Sequence, residues 1–121
     1  MSFDLESIED QFRIPHPDAV SNENLADVFF VTRPLTRREN LKLYNANKKK
    51  SGDVGEGFID ELFQKILINW EGITREGKPV ECTQAEKQSM CRKPGMSALI
   101  DYIVEETQRQ SRDQLGIEEK N

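Results

Sequence analysis

The sequence predicts a mainly α-helical fold: a small domain of about four helices, with a short extended segment and a small turn or hairpin near 73–82. Three observations lead there. Apolar residues recur at helical spacing over 58–70 and again over 96–104. Two Thr-x-x-Glu frames, Thr36/Glu39 and Thr83/Glu86, have the form of capping boxes that open helices. The chain has 121 residues, 36% of them hydrophobic and 32% charged, enough for one modest core under a well-solvated surface.

Taken in order, "MSFDLESIEDQF" places Phe3, Leu5, Ile8 and Phe12 roughly in register for a short acidic helix over 1–12. Residues 13–24 read as a loop, with His16 between Pro15 and Pro17 in an extended surface segment. "VFFV" at 28–31 is a brief strand or extended segment, and Pro34 ends it. A helix then starts at the Thr36 cap, with Leu41 and Tyr44 spaced to share a face. "SGDVGEG" at 51–57 breaks the chain without the frame of a phosphate-binding loop.

The strongest pattern follows. Phe58, Ile59, Leu62, Phe63, Ile66, Leu67 and Trp70 form one helical stripe, with Trp70 at the helix end. Gly72, Gly77 and Pro79 turn the chain, and Thr83 opens a short helix to about Cys91. A last helix begins near Pro94 and aligns Met96, Leu99, Ile100, Ile103 and Val104. The expected core is Phe58, Leu62, Phe63, Ile66, Trp70, Leu99, Ile100 and Ile103, each worth roughly 1.5–3 kcal/mol when fully buried. The domain division is an acidic or extended segment at 1–24, a helical core at 25–114 and a flexible tail at 115–121.

Charge is uneven. Residues 33–50 carry Arg33, Arg37, Arg38, Lys42, Lys48, Lys49 and Lys50 against Glu39, a local +6, while the rest of the chain is −11. This basic segment is the candidate surface for a partner or for self-association, and unlike faces meeting head to tail build rings or open spirals. The same segment supports a second reading, a small regulatory or nucleic-acid-binding module, which the net charge of −5 disfavours.

Catalytic chemistry finds no foothold. One histidine lies in a proline-flanked loop, and Cys82 and Cys91 have neither zinc nor redox spacing, so free reduced thiols are expected. No catalytic, metal or cofactor residue is assigned, and no enzyme activity is expected. No apolar run approaches the ~20 residues of a membrane span, and no signal peptide is visible, so a cytoplasmic address is expected.

The run "ILINWEGITREGKPVECTQAEKQSMCRKPGMSALIDYIVEE" resembles the C-terminal half of the tail assembly chaperones of long-tailed bacteriophages. The similarity rests on Trp70, Gly72 and Ile73; on Gly77, Pro79 and Val80; on Thr83 and Glu86; and on Pro94 before the apolar 96–104 stripe. "RPLTRRENLKLYN" resembles the upstream region of that family, so the likeness spans roughly residues 28–106. One departure is "QSMCRK" at 88–93, more polar than the leucine-rich segment of the family. The resemblance implies a non-enzymatic, self-associating chaperone in the host cytoplasm. It would bind the tape-measure protein, recruit tail-tube subunits and leave the finished particle.

Overall fold

The computed structural model describes residues 4–48, 55 and 57–116. The expectations for Phe3, Lys49, Lys50 and most of 51–57 and of the 115–121 tail lie outside them. The mainly α expectation is corrected: among the described residues, four α-helices are accompanied by five strands in two antiparallel sheets. Strands β1 (Phe12–Pro15), β2 (Phe29–Thr32) and β3 (Leu67–Glu71) form the larger sheet in the order β1-β2-β3. Strands β4 (Thr74–Arg75) and β5 (Lys78–Pro79) form a hairpin. The helices are α1 (Arg37–Asn47), α2 (Phe58–Ile66), α3 (Gln84–Arg92) and α4 (Ser97–Gln114).

The N-terminal expectations fail first. Of the helix expected over 1–12, the described residues from Asp4 onward show a 3₁₀ turn, Leu5–Ser7, and Phe12 opens β1. The expected loop at 13–24 therefore begins inside a strand. Phe12 and Ile14 point into the core while Arg13 and Pro15 face out, an alternation spanning four residues and too short to stand out in the sequence. Pro15 sits on an edge strand, where its missing N–H does least harm.

The 58–70 stripe is half helix and half strand. The helix stops at Ile66, and Leu67 to Glu71 pair with β2. Leu67 and Trp70 are three apart, a helical spacing that would place them on opposite faces of a regular strand. A bulge reconciles the two: Val31 pairs with Asn69 but Thr32 pairs with Leu67, so Ile68 is an extra residue. Leu67 and Trp70 consequently both reach the core beside Phe30 and Thr32. Trp70 is thus on a strand rather than at a helix end.

Helices cover one face of this sheet. Phe63, Ile66, Ile100, Ile103 and Val104 are buried against Phe30, Leu67 and Trp70, with Phe58 and Leu99 half-buried at the margin. A polar bond crosses this interior. Thr107 Oγ donates to Ile103 O at 2.8 Å, which uses its only hydrogen, so Thr32 Oγ is the donor in the 2.8 Å bond to Thr107 Oγ. The other sheet face carries Arg13, which lies 3.5 Å from the Phe29 ring centre and pairs with Glu71 at 2.8 Å.

Helix α1 opens with the expected capping box: Glu39 N–H donates to Thr36 Oγ, and Thr36 N–H to the Glu39 carboxylate. The face it buries differs from expectation. Leu43 is the buried residue, whereas Leu41 and Tyr44 share a face that points to solvent. Helix α3 keeps half of its box, since Thr83 Oγ caps Glu86 N–H while the Glu86 carboxylate turns to Arg75.

Leu62→Ala or Ile66→Ala should cost about 2–5 kcal/mol in denaturant unfolding, because each side chain is almost wholly enclosed. Thr107→Val should cost about 1–3 kcal/mol by stranding the Thr32 hydroxyl. Adding Thr32→Val should then recover part of that loss; equal stability of the single and double variants would show that the threonine bond contributes nothing.

Candidate functional site

The hairpin is what turns a helix-and-sheet core into a molecule with a groove. Gly72 leaves β3 at φ +78°, and a Cβ there would lie 2.6 Å from Asp27 O, so only glycine lets the chain pass this close to the residues before β2. The hairpin then reverses through Glu76 (φ +52°) and Gly77 (φ +78°), the two positive-φ positions that a two-residue turn of the favoured twist requires. The Trp70 indole N–H donates to Val80 O at 2.7 Å and ties the returning chain to the sheet.

Between these parts lies an open groove of about 670 Å³. Phe30 and Trp70 lie at its base, Ile73 and Val80 come from the hairpin, and Met90 and Leu99 come from α3 and α4. Leu25, Val28 and Met96 complete its apolar lining. Arg75 and Glu86 cross one part of the rim in a two-bond pair at 3.2 and 2.8 Å, which holds the Glu86 carboxyl below its ordinary pKa. Lys93 stands on the rim as well. Size and lining suit a cluster of apolar side chains, and the two thioethers can repack around different shapes.

The basic segment does not act as one cluster. Arg33 is half-buried and engages Glu39 through two bonds, at 3.0 and 2.8 Å. That guanidinium, with the Thr36 N–H, pulls the Glu39 carboxyl down to about 2. Arg37, Arg38, Lys42 and Lys48 are exposed on or at the end of α1, away from the groove. Lys49 and Lys50 lie outside the described residues.

The remaining candidates are quiet. Cys82 and Cys91 are free and half-buried, and burial pushes both thiols up, away from the reactive thiolate. His16 Nδ1 accepts the Asp18 N–H in a local turn. Among the described residues, no three His, Cys, Asp or Glu side chains converge as metal ligands, and no helix is long and apolar enough to cross a membrane.

The groove was the feature that sequence reasoning missed. Val80 and Met90 belong to no apolar stripe, and Leu25 lies in a polar stretch. The available signal was the isolated apolar residues of 73–90, which have no partner within their own elements. No protein-family model, curated protein or solved structure matches the chain.

The Arg33–Glu39 pair yields a pH test. Because the folded-state value is depressed, its stabilisation is present above the ordinary carboxylate range and disappears as pH falls towards about 2. Glu39→Gln should lower stability at pH 7 by under about 1 kcal/mol, since the pair is over a third exposed. The gap to the parent should close between pH 4.5 and 2; a gap unchanged at pH 2 would show that shape, not charge, matters at this site.

Proposed function

We propose that the chain is a non-enzymatic assembly chaperone of phage tail morphogenesis. On this reading it holds apolar segments of the long tape-measure protein, recruits tail-tube subunits, and is absent from the finished particle. The observation that carries the reading is where the resembling residues fall. Trp70, Gly72, Ile73, Val80 and Glu86, which bear the likeness to tail assembly chaperones, all line the groove. Gly77 and Pro79 shape the hairpin beside it, and Pro94 precedes the helix that supplies Leu99. A motif concentrated around an open apolar groove fits a surface for another chain.

The physics of such a task agrees with the groove's chemistry. A chaperone that coats a long, repetitive partner must accept many similar apolar segments, so adaptable Met90 and Met96 suit it better than a rigid polar pocket. Lys93 and the Arg75–Glu86 pair on the rim would orient the bound segment without burying a charge.

Co-expression with a tape-measure protein of a long-tailed phage tests the reading. The parent should co-purify with it, and Met90→Asp, at a half-exposed position, should lose it while keeping the parent's circular dichroism and melting profile. Undiminished co-purification of the folded variant would remove the groove from the interaction. Steeply salt-dependent binding to duplex DNA by the α1 cations would instead favour a nucleic-acid role.

A further inference from the structure

Helices α1 and α4 both pack on α2 and make little contact with each other. The gap between them is a half-open cavity of about 200 Å³. Leu62 and Ile66 of α2 and Val104 of α4 supply its deep lining, and all three are buried. Pro34 and Leu35, just ahead of α1, add half-buried apolar surface. The cavity shares no lining residue with the groove beside the hairpin.

Its polar groups are sorted by depth. Thr107, the buried one, has already given its hydrogen to Ile103 O, so the deep end has no donor to offer. Asn40, Gln108, Ser111 and Arg112 lie nearer solvent, exposed or half-buried. The side chains of the first three have no hydrogen-bond partner among the described residues. Arg112 has a partner already, but its five N–H donors leave capacity for a further acceptor. All four side chains can donate, Arg112 carries the single charge of the lining, and no carboxylate lines the cavity.

We infer that this cavity binds a small monocarboxylate, its apolar body among Leu62, Ile66 and Val104 and its carboxylate at Arg112. An apolar cavity of about 150 Å³ holds a benzene ring, so this one has room for a body of about six to eight carbons. A guanidinium takes a carboxylate through two parallel bonds, and Asn40, Gln108 and Ser111 can donate to the lone pairs left over. A cationic ligand would meet Arg112 as a like charge, and an alcohol would leave the guanidinium unmatched. Because the groove contributes none of these residues, the site stands or falls separately from the chaperone reading.

Titration of the full chain with hexanoate and octanoate, followed by amide NMR shifts, tests the site. The amides of Leu62, Ile66, Val104 and Ser111 should move together and saturate at one ligand per chain. The alcohol of the same chain length should bind at least about tenfold more weakly, the loss of one charge-assisted bond. Arg112→Gln should erase that preference while leaving the alcohol's affinity unchanged. Ser111→Trp and Asn40→Trp, which crowd the mouth from opposite sides, should each weaken octanoate binding at least about tenfold with the parent's circular dichroism. Met90→Asp, in the groove, should bind octanoate like the parent. Shifts that do not saturate, shifts centred on Val80 and Met90, an acid preference that survives Arg112→Gln, or full binding by both folded tryptophan variants would each overturn the inference.

Discussion

The junction between Ile66 and Leu67 is the constraint on which the rest of the structure depends. A helix that ends inside a protein leaves carbonyls without intrahelical partners. Here the chain passes directly into a strand, with no glycine or proline to loosen it. Lys87 of α3 resolves the problem by donating its ammonium to Gln64 O at 3.0 Å and Leu67 O at 2.6 Å. Arg33 N–H takes Ile66 O at 2.9 Å from the other side. The helix end is thus closed by α3 and by the residue after β2, so sheet, helix and groove wall are fixed by one set of bonds.

That arrangement explains why a short chain can carry an open groove. Helix α2 packs on α1, α3 and α4, and it continues into the strand that holds Trp70. Trp70 then reaches across to Val80 O, so the hairpin hangs from the same segment that builds the core. The groove is bounded by elements that the core already fixes, and its apolar wall residues Leu25, Ile73, Val80, Met90, Met96 and Leu99 pack against that core. Preorganisation of this kind lowers the entropy cost of binding.

Charge is handled by a division of labour. Paired arginines tie loops to neighbours within the fold: Arg13 to Glu71 across the sheet, Arg33 to Glu39 at the start of α1, and Arg75 to Glu86 between hairpin and α3. These exposed pairs contribute little stability individually but set the positions of the segments they join. Arg37, Arg38, Lys42 and Lys48 on or at the end of α1, and Glu6, Glu9 and Asp10 of the N-terminal segment, make no ion pair among the described residues. Their influence extends outward, over distances set by salt rather than by contact.

Much of this was legible in local chemistry. The Thr36 and Thr83 caps, the turn at Gly77, the buried faces of α2 and α4 and the brief strand at Phe29–Thr32 each follow from residues within a few positions of one another. These include the buried core residues Leu62, Phe63, Ile66, Trp70, Ile100 and Ile103. What the sequence could not contain was the sheet. The pairing of Phe12–Pro15 with β2 and of β2 with β3 joins residues far apart in the chain, and a strand of four residues has too few alternations to declare itself. The bulge at Ile68 made the matter worse, because it gives Leu67 and Trp70 a helical spacing on a strand. Periodicity therefore determined most of the buried side chains of α2 and α4, while long-range hydrogen bonding decided the sheet, and with it the burial of Phe12 and Ile14 that no local pattern marks.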